Sequence, residues 1–337
     1  MVGTSVVCLQ AEGGAGDFSL YGWRIRADLL LEPVVAAGPV GEPDITVSAH
    51  HMGDVPTTKP EGTVLAEFPP GEAAGKMYWL VANKWGFLLR FPGSVEYRVS
   101  GDLTHVMWVR SRGVSLEHAR ELFRGHAMAL LLGLAGYAVF HASAVVLPDC
   151  SDDSGTQAVA MVAASGGGKS TCAALLVAAG AKFLTDDVLC VATDAGGIVA
   201  RGGCAEVRLR KTAGVLAELF AGAPARETLD DRIALTLGKG SLFSHPLGLL
   251  VFPSVEDGVG DLGVRRLTTK EVALRLAGSP RMSGWSCRRV LETQLKCLAK
   301  MAVQVPAVSI AVPQTEYLGS DQAQALINMV KASWQAG

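Results

Sequence analysis

The chain has 337 residues and a formal net charge of −2, and 49% of its residues are hydrophobic. This length suggests about two domains with ample core, and the small net charge gives no general attraction to nucleic acid or to an anionic membrane. The cysteines are scattered without a Cys-x-x-Cys pair, which argues against a zinc site or a disulfide scaffold. The most apolar stretch, 128–140, is too short to cross a bilayer, and no secretory signal is apparent. We therefore expect a cytoplasmic protein that binds neither nucleic acid nor a membrane.

Residues 1 to about 112 are predicted to be rich in β-strands. Short apolar or alternating runs are separated by breaks that contain glycine and proline, a pattern typical of strands. Pro70-Gly71 and Pro92-Gly93 favour hairpins, so we expect a small antiparallel sheet in an N-terminal domain, 1–112, that positions an acceptor or mediates assembly. The predicted strands lie at 23–27, 44–48, 63–68, 77–81, 86–91 and 95–99.

Residues 113–337 are predicted to form a second domain. Ser115 and the residues after it are typical of a helix start, and the helical pattern continues to about Gly136. Gly180 is predicted to end a later helix as its C′ residue. Other predicted elements are strands at 138–146, 158–162, 249–252 and 307–312, a polar surface break at 149–155, and helices at 269–276, 286–302 and from about 320.

The segment 163–171 reads Ala-Ala-Ser-Gly-Gly-Gly-Lys-Ser-Thr and is called the phosphate loop below. It stands between an apolar strand and a helix, an arrangement that turns backbone N–H groups and a helix N-terminus toward phosphate. In such a loop Lys169 reaches the β- and γ-phosphates and the Ser170 hydroxyl binds Mg²⁺. The standard motif begins with glycine, and Ala163 stands there instead. The residues predicted to bind the nucleotide here are Ser165, Gly166, Gly167, Gly168, Lys169, Ser170 and Thr171.

Two adjacent carboxylates, Asp186 and Asp187, follow the helix after the loop within an apolar segment. Burying two such charges is costly unless a metal or another partner neutralises them. Only one short helix and a turn separate them from Lys169, so we expect them to lie beside the phosphate loop. A surface Asp-Asp turn is the alternative, which the apolar flanks disfavour.

Four segments together resemble the HPr kinase/phosphorylase family and its kinase-like relatives. They are the phosphate loop, the Leu-Thr-Asp-Asp-Val run that ends at Val188, the strand Phe140-His141-Ala-Ser-Ala-Val, and Ala205-Glu206-Val-Arg208. The resemblance covers roughly 138–210. It implies an α/β P-loop kinase domain of the HPr-kinase/PEP-carboxykinase-like type, with a mixed central sheet, after the β-rich N-terminal domain.

The resemblance also implies roles for single residues. Asp186 would be the general base that takes the proton from an acceptor hydroxyl, with His141 beside it. Asp187 and Glu206 would join Ser170 at Mg²⁺, and Arg208 would counter phosphate charge. The roles of Asp186 and Asp187 are interchangeable at this point.

The expected activity is therefore Mg²⁺-dependent transfer of the γ-phosphate of ATP to a hydroxyl. The leading acceptor is a serine of a protein or peptide. After Glu206-Val-Arg208 the chain continues Leu-Arg-Lys-Thr, without the glycines of the enzymes that act on HPr. It is more similar to the diverged branch, some members of which act on peptides, including lasso-peptide precursors. A small-molecule hydroxyl kinase and a non-catalytic nucleotide-binding regulator are the alternatives. Phosphorylase activity and a homo-oligomeric state are left open.

Overall fold

The computed structural model describes residues 16–28, 35–36, 41–49, 53–71, 75, 77–147, 156–194, 197–220, 222–228, 231–237, 243–256, 263–313 and 319–335. The surface break predicted at 149–155 lies outside these residues. The protein is mixed α/β, and its two larger sheets each combine parallel and antiparallel neighbours. Within the ranges given, no helix is both long and apolar enough to cross a membrane.

The first sheet contains nine strands of the described part of the chain, all from its first third. Their order across the sheet is β3-β1-β2-β4-β9-β8-β7-β6-β5. The strands are β1 (Gly16–Leu20), β2 (Trp23–Ala27), β3 (Val35–Ala36), β4 (Ile45–Ala49), β5 (Thr63–Phe68), β6 (Tyr78–Asn83), β7 (Gly86–Phe91), β8 (Val95–Ser100) and β9 (His105–Arg110).

The predicted strands and both predicted hairpins of this region are confirmed, but the sheet is not purely antiparallel. Strand β4 runs parallel to β2 on one side and to β9 on the other. Strands β5 to β8 lie between β4 and β9 in the sequence, and β9 then pairs with β4 in the parallel direction. Hairpin signals are local, and they carry no information about pairings between strands that are distant in the sequence.

Two helices joined by a π-helical turn cover this sheet. They are α1 (Leu116–Leu122) and α2 (Met128–Leu134), and the π turn is Phe123–Ala127. The Ser115 side chain accepts a hydrogen bond from the His118 N–H, which confirms the predicted helix start. Every residue of α2 is buried, as expected for a helix that is apolar on all sides. It packs in one core with the first sheet and also contacts the next strand, β10.

The second sheet supports the predicted site. Within the described residues its strands are β10 (Ala138–Phe140), β11 (Ala142–Leu147), β12 (Gln157–Val162), β13 (Lys182–Thr185), β14 (Leu189–Asp194), β15 (Gly197–Arg201), β19 (Ser244–Glu256), β20 (Val264–Arg266) and β21 (Ala307–Pro313). A third, smaller sheet is formed by β16 (Glu206–Arg210), β17 (Ala225–Glu227) and β18 (Arg232–Thr236). Strand β12 is parallel to β19 and antiparallel to β11. Its residues alternate between two cores, which explains its unbroken apolar run.

Helices pack on both faces of the second sheet. On one face lie α3 (Lys169–Ala178) and α6 (Ser320–Gln335), and on the other lie α4 (Thr269–Ala277) and α5 (Arg288–Gln304). A 3₁₀ segment, Lys211–Phe220, follows β16. Helix α3 ends as predicted at Gly180, whose φ is +101°. Hydrogen bonds from the N–H groups of Gly180 and Ala181 to the carbonyls of Val177 and Leu176 complete a Schellman motif.

Candidate functional site

The phosphate loop lies between β12 and α3, and its glycines are used in distinct ways. Gly166 and Gly168 have φ values of +84° and +86°, a backbone region that only glycine adopts without strain. Ala163 has no left-handed φ. A Cβ on Gly167 would lie 2.7 Å from the Cβ of Ala163, so the glycine at 167 makes room for the methyl group that replaces the first motif glycine.

Lys169 folds back over this loop. Its Nζ donates to the carbonyl oxygens of Ala163 (2.8 Å) and Ala164 (3.0 Å). Burial lowers the pKa of Lys169, while Asp186 and Asp187 act in the opposite direction. Single carbonyls are weaker partners for an ammonium group than phosphate oxygens are, so the side chain can exchange them for an anion at the same place.

The backbone around the loop leaves donors for an anion. The first N–H groups of a helix have no intrahelical partner. Gly168 is the N-cap of α3 and has no side chain that could accept hydrogen bonds from them. Ser165 is exposed and Thr171 is partly buried. A Cβ on Gly166 would lie 2.8 Å from Nη2 of Arg210, so an exposed arginine of β16 lies over the loop.

Three strand ends bring the acidic residues to this loop. Strand β12 ends at the loop, β13 ends just before Asp186, and β11 starts just after His141. Because β11 pairs antiparallel with both β12 and β13, these ends share one edge of the sheet. His141 divides the strand predicted at 138–146, since its N–H donates to the Ser279 carbonyl (2.8 Å) rather than to the sheet.

Asp186 is buried against the loop. Its carboxylate accepts hydrogen bonds from the hydroxyls of Ser143 and Ser170, the latter at 3.0 and 3.1 Å, and from the backbone N–H of Arg208 at 3.0 Å. None of these three donor groups carries a positive charge. Burial raises the pKa of Asp186, although the hydrogen bonds oppose the shift.

Asp187 is in a different environment although it is the next residue. Its carboxylate contacts Nδ1 of His141 at 3.0 Å and Nη2 of Arg281 at 2.8 Å, and about a third of the side chain is exposed. Burial alone would raise its pKa, but Arg281 and His141 hold the pKa of Asp187 well below the usual range. Its φ is +69°, inside a tight turn closed by the Val188 N–H and the Asp186 carbonyl (2.8 Å). We call residues 186–188 the acid turn.

The contacts of Asp186 and Asp187 therefore differ from those expected from the sequence. His141 contacts Asp187, whereas the sequence-based assignment placed it beside Asp186. Ser170 contacts Asp186, whereas the same assignment grouped it with Asp187 and Glu206. The reversed roles, which the sequence left open, agree with these contacts.

Glu206 is held by arginines. Its carboxylate accepts hydrogen bonds from Nη2 of Arg226 at 2.9 and 3.0 Å and from Nε of Arg208 at 3.4 Å. Arg226 also pairs with Glu117 (3.1 Å) and Glu121 (3.3 Å) of α1. The predicted metal ligands Ser170, Asp187 and Glu206 thus do not meet, and the described residues contain no group of three or more acidic, cysteine or histidine side chains that could hold a metal.

A Mg²⁺ ion that is also bound by nucleotide phosphates needs fewer protein ligands than a metal held by side chains alone. Mg²⁺ keeps several waters and is usually held by one or two side-chain oxygens together with phosphates. The Ser170 hydroxyl and the Asp186 carboxylate fit this description, since they are in contact at the helix N-terminus. A cation here would also compensate the buried charge of Asp186.

Three further residues belong to the site and were not predicted. Ser143 is a fully buried serine in an otherwise apolar strand, and such a residue is a signal of a polar partner. Arg281 reaches the acid turn because its N–H donates to the Val139 carbonyl at 3.2 Å, a pairing distant in sequence that no local pattern reveals. Arg226 comes from the small third sheet, again without a local signal.

Comparison with known proteins adds little to this geometry. No protein-family model matches the sequence, and no curated protein sequence is significantly similar to it. A search of solved structures finds the Hpr(Ser) kinase/phosphatase from Coxiella burnetii, with 11% sequence identity and a TM-score of 0.29. The match covers 59% of this chain and 99% of that chain. This likeness is too small to carry an argument about activity, so the function has to be argued from the residues of the site.

Proposed function

We propose that the protein is an ATP- and Mg²⁺-dependent phosphotransferase that moves the γ-phosphate to the hydroxyl of a serine in a protein or peptide. One observation carries this proposal: a partly exposed carboxylate, Asp187, lies next to the residue that contacts Ser170 of the phosphate loop. An ionised carboxylate that is oriented by two partners and still partly exposed meets the geometric requirement for a general base.

The two carboxylates have separate roles in the proposal. Ser170 and Asp186 would hold Mg²⁺, which when bound neutralises charge on the transferred phosphate. Asp187 would be the base. Its Oδ1 contacts His141 and its Oδ2 contacts Arg281, and a carboxylate has about four lone-pair sites, so it can still accept a hydrogen bond from an incoming hydroxyl.

The transfer step follows from this arrangement. The acceptor oxygen forms a bond to the γ-phosphorus as the bond from that phosphorus to the β-phosphate bridging oxygen breaks, and ADP leaves. The acceptor proton passes to Asp187. A weakly basic carboxylate is sufficient, because phosphoryl transfer depends mostly on positioning and charge neutralisation. Lys169 and the loop N–H groups hold the phosphate chain, and Arg208 and Arg210 add positive charge beside it.

The test is phosphate transfer from Mg-[γ-³²P]ATP by the purified protein. Two acceptor pools are compared: serine peptides, including short peptides encoded beside its gene, and free serine with other hydroxyl metabolites. We expect label in a peptide. Label only in a metabolite would contradict the peptide acceptor, and bound nucleotide without transfer in either pool would favour a regulatory role. Cytoplasmic location is part of the proposal and is checked by cell fractionation.

A further inference from the structure

Arg281 bridges the acid turn and His126. Its Nη2 donates to Oδ2 of Asp187 at 2.8 Å, and its Nη1 contacts Nε2 of His126 at 3.4 Å. The guanidinium side chain is about 10% exposed. One rigid planar group therefore has a carboxylate on one side and an imidazole on the other, which limits the positions that Arg281 can take.

His126 is held in place by the first sheet. Its ring packs edge-on against Phe91 of β7 with centroids 5.3 Å apart, and at a tilt against Tyr78 of β6 with centroids 5.9 Å apart. The Tyr78 hydroxyl donates to the Ser283 carbonyl at 2.7 Å, two residues beyond Arg281. The sheet thus contacts both the histidine and the segment that carries the arginine.

The backbone at His126 is also unusual. Residues Phe123–Ala127 form a π turn between α1 and α2, a distortion that is frequent at functional sites. Gly125 lies in this turn, and a Cβ there would be 2.7 Å from Nη2 of Arg281 and 3.6 Å from Oδ2 of Asp187. The turn therefore approaches the ion pair so closely that a side chain at Gly125 would displace the Arg281 guanidinium.

The protonation state of His126 agrees with an acceptor role. Burial and the nearby Arg281 lower the pKa of His126 to about 3, so the ring is neutral at physiological pH. A neutral imidazole has one nitrogen that accepts a hydrogen bond, and Nε2 faces the Arg281 donor. A protonated ring would instead repel the guanidinium.

We propose that His126 is a positioning residue for the base: it accepts a hydrogen bond from Arg281 and so fixes the guanidinium that orients Asp187. This inference rests on the phosphotransfer proposed above. It gives the first sheet a role in the reaction, since Tyr78 and Phe91 hold the histidine. Through them and Arg281, the first sheet is connected to the acid turn by a continuous series of contacts.

A matched pair of variants tests the proposal. His126→Phe keeps an aromatic ring against Tyr78 and Phe91 but removes the acceptor, and His126→Gln restores an acceptor. We expect His126→Phe to lower kcat by about 10–100-fold, the usual effect of losing an outer-shell partner, with the KM for ATP nearly unchanged. His126→Gln should recover most of kcat. Equal losses in both variants, or a loss confined to KM, would overturn the proposal.

Gly125→Ala is an independent variant that covers the case in which His126→Phe does not fold. Alanine is a better helix former than glycine, so the helix should form, while the added methyl displaces Arg281. We expect the same fall in kcat as for His126→Phe. Full activity of a folded Gly125→Ala protein would contradict the role given to this contact.

A spectroscopic measurement separates this inference from the proposed function. In ¹⁵N-resolved NMR spectra, the Arg281 guanidinium should rotate slowly in the wild-type protein and in His126→Gln, and faster in His126→Phe. If the wild-type protein transfers no phosphate, the proposed function fails, but this pattern would still support the contact. Unchanged Arg281 dynamics in His126→Phe would overturn it whatever the activity.

Discussion

The phosphate loop and the acid turn lie side by side, but they are assembled differently. The loop is one continuous segment, 163–171, between a strand and a helix, and its Lys169 folds back on the carbonyls of Ala163 and Ala164 within the same segment. The acid turn depends on His141, Arg281 and Ser143, which come from separate parts of the chain. We infer that changes in the loop alter mainly nucleotide affinity, and that changes behind the acid turn alter mainly turnover.

The largest expected effect comes from Asp187→Asn. The amide cannot take the acceptor proton, so kcat should fall by about 10²–10⁴-fold, the usual contribution of general base catalysis. Affinity for Mg-ATP, measured by calorimetry, should stay close to that of the wild type because the loop is untouched. Full activity would show that the base is another residue, and a parallel loss of affinity would break the division between loop and turn.

The next effect concerns the pair Ala163 and Gly167. Gly167→Ala places two methyl groups about 2.7 Å apart, and such overpacking costs about 1–3 kcal/mol. We expect weaker Mg-ATP binding and a lower Tm. The double variant Ala163→Gly/Gly167→Ala should regain both, because the first change removes the competing methyl. Additive effects in this double-mutant cycle would contradict the contact.

A smaller change is expected from Arg210→Ala. The exposed guanidinium lies over Gly166, where it can add one charge-assisted contact to phosphate, about 1.5–3 kcal/mol at most and less when it is solvated. Affinity for Mg-ATP should fall by up to about tenfold, while affinity for adenosine should not change. Arg210→Lys, which keeps the charge, is the control. Equal losses for ATP and adenosine would show that Arg210 acts on the fold rather than on phosphate.

The smallest effect is on stability, through Asp186. Burial raises its pKa, so in the metal-free protein its ionised form disfavours folding, and stability from this group is present at low pH and lost as pH rises through the folded-state pKa. At neutral pH without Mg²⁺, Asp186→Asn should raise Tm by a few degrees. The gain should shrink at acidic pH, which thermal unfolding at several pH values measures. A gain that is equal at every pH would argue against burial of the charge.

The phosphate loop and the acid turn also differ in how well the sequence predicts them. The loop, its flanking strand and helix, and the helix end at Gly180 were predicted because their signals, an apolar run, a glycine-rich turn and a helix-forming run, are each local in the sequence. Most strands of the first sheet were predicted for the same reason. The parallel pairings of β4 were not, because they depend on strands that return from far along the chain.

The acid turn was predicted only in part. The sequence indicates that Asp186 and Asp187 lie near the loop, but two adjacent residues in a tight turn point in different directions, and the pattern does not indicate which one meets Ser170. Arg281 lies 94 residues from Asp187, and its position depends on the pairing of 279–281 with 139–141, which are also distant in the sequence. Glu206 was expected at the metal, and it contacts Arg226 of its own small sheet instead.

A crystal structure with Mg²⁺ and a non-hydrolysable ATP analogue tests the proposed function most directly. If the proposed function is right, the β- and γ-phosphates contact Lys169 and the loop N–H groups, and Mg²⁺ contacts Ser170 with Asp186 beside it. Asp187, still paired with Arg281, is then the carboxylate nearest the open side of the γ-phosphate. A nucleotide bound away from the loop, or Mg²⁺ bound by Asp187 with Asp186 facing the γ-phosphate, would contradict the proposed function.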